Sequence, residues 1–170
     1  MKRTLSAILP GILTVLIVAG TGCHRSVPKP PGLSDLVPCK VKVIQDGAPL
    51  EGADVTLVPV TPTGTVWPVG GHTNAAGIAE MRTYGTHPGV PADKYKVVVS
   101  KVEIEVAQEA PVPTANSASY QAPKETHYHL VTPALGFAPT TTLEIQVEKG
   151  TVNYSVDVGA AVRILKQQPQ

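Results

Sequence analysis

Apolar and polar residues alternate along much of the chain from Cys39 onward, and a period of two is typical of β-strands. Lysine and valine alternate over residues 40–43, and apolar residues again occupy every second position over residues 53–57. Between these runs lies Asp46-Gly47, a pair typical of hairpin turns because glycine accepts a positive φ. The pattern predicts two neighbouring strands joined by this turn.

Later segments repeat the period of two, and no long stretch has the helical period of 3.6. The alternation of Tyr95, Val97 and Val99 predicts a central strand. Lys149-Gly150 is predicted to join the last two strands as a tight hairpin. The fold class is therefore predicted to be all-β, with further strands at residues 66–73, 78–82, 142–148 and 151–158.

Two segments lack this pattern. Residues 107–125 are rich in Ala, Pro, Ser and Thr, which predicts an irregular insertion. Residues 159–170 form a C-terminal tail that includes Val162, Ile164 and Leu165, which we expect to add a little packing before the chain becomes polar.

The N-terminus has a different pattern. Lys2 and Arg3 precede an apolar run over residues 5–19, and small residues at 20–22 precede Cys23. This order is typical of an export signal. A spanning helix needs about 20 apolar residues, so the shorter run favours a signal over a membrane span.

The end of this signal resembles that of bacterial lipoproteins, in which small residues precede a cysteine that carries the lipid and becomes the N-terminus after cleavage. Thr21 and Gly22 fit that pattern, whereas Gly20 stands where an aliphatic residue is usual. We therefore predict a signal peptide at residues 1–22 and lipidation of Cys23, with ordinary cleavage as the alternative. The chain is then exported and anchored to the bacterial cell envelope, facing the periplasm or the surface.

Residues 23–38 are rich in proline, which favours an extended, flexible tether. The second cysteine, Cys39, precedes valines at strand spacing, and we interpret it as a small buried apolar residue. If ordinary cleavage left Cys23 unmodified on the mature chain, a Cys23–Cys39 disulfide would be open to it outside the cytoplasm.

The composition restricts the classes of partner that the chain could bind. Charged residues make up 16% of the chain and the formal net charge is +1. Nucleic-acid binding requires a concentrated positive surface, so this balance argues against it. The 17 prolines suit short strands joined by fixed turns.

The run from Lys42 to Pro59 resembles the opening of carboxypeptidase-regulatory-like domains, in which a D-G-x-P-L-x-G-A turn joins two strands. Thr73 to Ala79 and Pro91 to Val99 are similar to later motifs of that family. The closing strands also resemble those of short lipoproteins from planctomycete-type bacteria. The resemblance implies a single transthyretin-like (prealbumin-like), Greek-key β-sandwich of about seven strands over residues 39–158, with an accessory role rather than a catalytic one.

Departures from the family pattern narrow this interpretation. Asn74 and Ala76 stand where the family often has acids, which disfavours a calcium site because calcium prefers carboxylates. Transthyretin-like hydroxyisourate hydrolases end in Tyr-Arg-Gly-Ser, whereas residues 166–170 read Lys-Gln-Gln-Pro-Gln. This argues against that activity.

Other candidate chemistry is sparse. His127 and His129 would face the same side of a strand, which places two imidazoles where a metal could bind with His72 or His87 as the third ligand. An exposed polar face is the commoner reason for such spacing. Trp67, the only tryptophan, is expected to pack over an edge of the core, with a ligand-binding platform as the alternative. No nucleophile elbow or phosphate-binding loop occurs.

We therefore expect a non-catalytic, membrane-tethered envelope lipoprotein whose β-sandwich acts as a binding or structural module. Its partners are the membrane, through the lipid on Cys23, and an envelope protein or a polysaccharide. No cofactor and no metal are expected, and the sequence leaves the ligand and the oligomeric state open. The alternative is a metal-dependent enzyme or metal-binding protein that uses His127 and His129.

Overall fold

The computed structural model describes residues 28–62, 64–106 and 125–166. The signal at 1–22, the lipidation site Cys23 and almost all of the insertion at 107–125 lie outside these ranges. No helix among the described residues has the length and apolarity needed to cross a membrane.

The strands are β1 (Leu36–Val37), β2 (Lys40–Gln45), β3 (Ala48–Pro49), β4 (Asp54–Pro59), β5 (Val69–His72), β6 (Ile78–Glu80), β7 (Arg82–Thr83), β8 (His87–Pro88), β9 (Val90–Pro91), β10 (Lys94–Ser100), β11 (Val102–Val106), β12 (Glu125–His129), β13 (Glu144–Gln146), β14 (Asn153–Asp157) and β15 (Ile164–Leu165).

Two sheets form the body of the domain. One has six strands in the order β13-β10-β4-β5-β7-β8, and the other has β14-β2-β3 with β6 also paired to β2. The predicted all-β class is confirmed, and the arrangement is consistent with a β-sandwich. The described residues form more strands than the seven or so expected, in part because six strands have only two residues. Three of these lie in one stretch that Gly85, Gly89 and the prolines at 88 and 91 break into short pieces.

The core contains side chains from both sheets. The alternating positions of β2, β4 and β10 are buried, and Tyr95 is among the largest side chains that are wholly enclosed. Burying one face of each strand removes apolar surface from water and supplies the main driving force for folding. The enclosed side chains include Val41, Val43, Val55, Leu57, Ala79, Met81, Tyr95, Val97, Val99 and Val147.

The first long strands are not neighbours. The turn at Asp46-Gly47 forms as predicted, with φ of 50° and 75°, but it joins β2 only to the short strand β3. The next strand, β4, belongs to the six-stranded sheet, between β10 and β5. The predicted pairing of these two strands is therefore wrong, because the chain crosses to the opposite sheet after β3.

The predicted closing hairpin is also wrong. The turn at Lys149-Gly150 is present, but β13 pairs with β10 and β14 runs parallel to β2 in the other sheet. Each strand still buries one face, at Ile145 and Val156 respectively. The turn connects the two sheets rather than two partners within one sheet.

The folded domain begins before Cys39. Leu33 and Val37 are buried, and β1 pairs with β9. Both residues lie within residues 23–38, for which the sequence predicts a flexible tether, yet their apolar side chains join the packed structure. The tail has a role as well, since β15 pairs with β12.

β11, β12 and β15 form a separate three-stranded sheet. On one face Arg163 lies 3.8 Å from the centre of the Tyr128 ring and forms ion pairs with Glu103 and Glu105. The other face carries Val102 and Ile104, which are 39% and 54% exposed.

Candidate functional site

The connection from β4 to β5 forms one wall of a cleft. The cleft has a volume of about 310 Å³, which lies at the small end of the range for small-molecule sites. Its opposite wall comes from the turn before β10 and from the segment that leads into β1. Its described lining comprises Gly32, Ser34, Pro59, Pro62, Gly64, Thr65, Val66, Trp67, Val69, Pro91, Ala92, Asp93 and Tyr95.

Trp67 is the largest side chain in this cleft, and its ring is half-buried. The expected packing over the edge of the core is thus only part of its environment. Its Nε1 atom is shielded from solvent, yet the indole N–H has no acceptor among the described residues. A buried N–H without a partner costs about 1–3 kcal/mol, and tryptophan N–H groups usually find an acceptor when buried.

Tyr84 extends this aromatic surface next to the cleft. Its ring meets Trp67 edge-on, with centroids 5.9 Å apart and planes at 89°. The Tyr84 side chain is 59% exposed, and its φ of 54° lies in the left-handed region, where a bulky residue is uncommon. The backbone is held there by a hydrogen bond of 2.7 Å from the Tyr84 N–H to the Pro68 carbonyl. An exposed aromatic side chain in an unfavourable backbone conformation is a feature found at binding sites.

The charge of the cleft comes from Asp93. Its Oδ1 accepts a hydrogen bond of 2.7 Å from the backbone N–H of Lys94. Lysine, arginine and histidine do not occur in the described lining, whereas Ser34 and Thr65 add hydroxyl groups. The cleft therefore disfavours anionic ligands and suits a ligand that can both donate and accept hydrogen bonds.

Tyr95 forms the part of the cleft that is continuous with the core. Its hydroxyl donates a hydrogen bond of 2.9 Å to the Pro91 carbonyl. Burial, with smaller contributions from Asp93 and Cys39, raises the pKa of Tyr95 to about 12. Burial alone raises the pKa of the Cys39 thiol to about 11. Cys39 is 4% exposed, which agrees with its interpretation as a small buried residue.

The raised pKa values of Cys39 and Tyr95 predict that the folded protein loses stability at alkaline pH. Their pKa values are higher in the folded protein than the ordinary 9.0 for cysteine and 10.0 for tyrosine, so the unfolded chain loses these protons first as the pH rises. The stabilisation is complete below pH 9 and falls up to pH 12, with about 2–3 kcal/mol of the fall arising from Tyr95. Urea unfolding across the alkaline range, followed by the fluorescence of Trp67, measures this fall.

The variant Tyr95→Phe is the control for this prediction. It keeps the buried ring but cannot ionise, so its stability should decline less steeply with pH. Combining it with Cys39→Ala should flatten the profile further. An equally steep decline in the double variant would show that other groups cause the alkaline sensitivity.

The two histidines of the metal hypothesis lie on one face of β12. His127 and His129 are opposite Ile104 and Val102 of β11, so the imidazoles share that face with apolar side chains. The Nε2 atom of His127 is 3.2 Å from Oε2 of Glu125. No group of three His, Cys, Asp or Glu side chains within the described ranges is placed to hold a metal ion.

The proposed third ligands belong to other strands. His72 is in β5, where its Nδ1 lies 3.0 Å from Oδ1 of Asp54, and His87 is buried in β8. At the position where the family often has an acid, the amide oxygen of Asn74 accepts hydrogen bonds from the N–H groups of Ala76 and Ile78 at 2.9 and 3.1 Å. Metal binding by His127 and His129 therefore stays a prediction. The described residues place no third ligand beside them.

A second cleft of about 310 Å³ lies over the four-stranded sheet, between Lys40, Lys42 and residues 153–155. Lys40 is already paired with Glu80, with Nζ and Oε1 2.8 Å apart. This cleft is a more open groove on a strand surface, and every described polar group in it has a partner or is exposed to solvent.

Comparisons with known proteins add no relative. No protein-family model matches the chain, and neither a curated protein nor a solved structure matches it. The resemblance to carboxypeptidase-regulatory-like domains therefore stays an expectation.

Sequence reasoning missed two members of this site. Tyr84 follows a short strand and precedes Gly85, where the pattern predicts only a turn. Asp93 has a predicted role only as a turn residue before Tyr95. A bulky aromatic directly before a turn glycine was the available signal, because such a residue is placed on the surface without packing in the core.

Proposed function

We propose that the protein is a non-catalytic lipoprotein of the bacterial cell envelope whose β-sandwich binds an envelope component in the Trp67 cleft. The observation that carries the proposal is the position of the cleft, because Gly32 and Ser34, which lie within the predicted tether at residues 23–38, form part of its lining. The resemblance of residues 42–59 to carboxypeptidase-regulatory-like domains supports an accessory role. Cys23 supplies the attachment to the membrane.

The length of the tether limits where the cleft can act. Gly32 is the ninth residue after Cys23, and nine fully extended residues span at most about 32 Å. A lipid on Cys23 would therefore hold the cleft within this distance of the membrane surface. The partner is then expected to be a component of the envelope near that surface.

The prediction for Cys23 is tested by the mass and location of the mature protein. The chain expressed in a bacterial host should fractionate with membranes, and its intact mass should correspond to a chain that begins at Cys23 and carries a diacylglyceryl group. Cys23→Ala should abolish the modification. The intact mass of this variant should lack the diacylglyceryl group, whether or not the signal at residues 1–22 is removed. Cys39→Ala is the matched control and should keep both the lipid and the membrane location.

A soluble mature chain with no lipid would contradict the tether. Ordinary signal cleavage would then be the correct alternative. If Cys23 remained on that chain, its pairing with Cys39 would appear as a loss of two hydrogens in the intact mass under non-reducing conditions. That mass difference would disappear in the Cys39→Ala variant.

A further inference from the structure

We infer that the Trp67 cleft, together with Tyr84, is a binding site for a neutral, hydroxyl-rich sugar ring. This inference deepens the proposed function and relies on it only for the statement that envelope glycans reach the cleft. Three observations on the described residues carry it: the unpartnered indole N–H, the exposed aromatic pair, and a lining that offers hydrogen-bonding groups without a basic side chain.

The indole N–H is the first observation. It is buried without an acceptor among the described residues, and a buried N–H of this kind gains about 1–3 kcal/mol when it finds one. A ligand oxygen that pairs with this group after a small movement of the Trp67 ring would recover that cost. Changes of side-chain rotamer of this kind are common on binding. A sugar carries hydroxyl and ring oxygens that can act as the acceptor.

The aromatic surface is the second observation. Apolar faces of sugar rings pack against aromatic rings, and Trp67 and Tyr84 meet edge to face, so the pair presents two rings at about a right angle. The Tyr84 side chain is exposed, and its backbone is held in the left-handed region. Val66, next to Trp67, is 51% exposed. Val66 lines the cleft and Tyr84 contacts Trp67, so both present apolar surface beside it.

The polar lining is the third observation. Asp93 accepts hydrogen bonds, and the hydroxyl groups of Ser34 and Thr65 both donate and accept them. A ligand with many hydroxyl groups matches this set. A phosphorylated or acidic sugar matches it poorly, because the described lining contains a carboxylate and no cation. A proline-rich peptide would use aromatic contacts but few of these polar groups.

The only tryptophan of the chain makes the test specific, because its fluorescence reports directly on the cleft. The full-length mature protein, extracted in detergent, is titrated with neutral di- to tetrasaccharides of hexoses and N-acetylhexosamines. We expect a saturable change in Trp67 emission with at least one of these sugars. Glucuronate-containing saccharides should bind more weakly, because their carboxylate would lie near Asp93.

Variants then separate the site from the rest of the surface. Asp93→Asn should raise the dissociation constant about tenfold, as expected for the loss of one charge-assisted hydrogen bond. Tyr84→Asn should weaken binding about threefold or more while leaving the fold intact, because asparagine tolerates the left-handed backbone better than tyrosine. Phe137→Ala is the matched control: Phe137 is also aromatic and is 64% exposed, but it lies outside the cleft, so binding should be unchanged.

Trp67→Phe removes the fluorescent reporter, so its binding is measured by calorimetry, where the heat of sugar binding should be strongly reduced. Vesicles of phosphatidylcholine with and without a neutral glycolipid identify the source of the sugar. Binding only to the glycolipid vesicles indicates a headgroup, and binding to free saccharides indicates a wall polymer. Either result supports the sugar site.

Three outcomes would overturn the inference. They are no response to any neutral sugar in solution or on vesicles, unchanged affinity in both Asp93→Asn and Trp67→Phe, or saturation by a proline-rich peptide instead of a sugar. The proposed function fails separately. Sugar binding by a chain without lipid on Cys23 would overturn the tether alone, and a lipidated chain without sugar binding would overturn the sugar site alone.

Discussion

Replacing Gly77 with alanine is expected to destabilise the domain by about 2–5 kcal/mol, the sum of an unfavourable left-handed backbone and a steric clash. Gly77 has a φ of 71°, and a Cβ atom there would lie 2.7 Å from the Val43 carbonyl oxygen and 3.0 Å from the Leu50 nitrogen. Both contacts are to backbone atoms, so a side-chain rotamer change cannot relieve them. The backbone of β2 would have to move, and the Gly77 carbonyl already accepts a hydrogen bond from Val43.

Gly47→Ala is the matched control for the clash. Gly47 has a similar φ of 75°, but a Cβ atom added there would meet nothing within 4 Å among the described residues. Its replacement should therefore cost only the backbone term, about 1–2 kcal/mol. Urea unfolding followed by Trp67 fluorescence compares the two variants. Equal losses would show that the turn at Gly77 can shift away from β2 at little cost.

The strands were predictable because alternation follows directly from which side chains the core encloses. The inward positions Val41, Val55 and Val97 are buried as the period of two requires. The same alternation does not say which sheet a strand joins, because each sheet of a sandwich buries one face in the same way. For that reason the turns at Asp46-Gly47 and Lys149-Gly150 are predicted correctly, while the partners of the strands beyond them are not.

The candidate site was less predictable than the strands. Trp67 stands out as the only tryptophan, and its expected contact with the core edge is a reasonable inference from its size. Its neighbours Tyr84 and Asp93 come from later turns, and only the paired strands bring them to the same end of the domain. The lack of a described acceptor for the indole N–H is a property of the assembled structure and has no counterpart in the sequence.

The second large effect is expected at Tyr95, where the core and the cleft meet. Tyr95 is 2% exposed and lies opposite Pro59 of β4 and Ile145 of β13. Tyr95→Ala should destabilise the domain by about 3–5 kcal/mol, because truncating a buried aromatic ring loses its packing and leaves a cavity. A loss of this size is a large part of the roughly 5–15 kcal/mol that stabilises a typical domain, so urea unfolding should show it clearly.

Tyr95→Phe is the control that separates the ring from the hydroxyl. It loses only the hydrogen bond to the Pro91 carbonyl and should cost about 1 kcal/mol at neutral pH. If Tyr95→Ala does not fold, Tyr95→Leu, which keeps part of the buried volume, should show an intermediate loss. Equal stability of the Leu and Phe variants would mean that the aromatic ring is not needed at this position.

The same control also distinguishes a structural role of Tyr95 from a ligand contact. Its hydroxyl already donates its proton to the Pro91 carbonyl, so a sugar in the cleft would gain little from it as a donor. Tyr95→Phe should therefore bind the sugar with the affinity of the unmodified protein, whereas Asp93→Asn should not. A parallel loss of affinity in Tyr95→Phe would instead place this hydroxyl among the groups that contact the ligand.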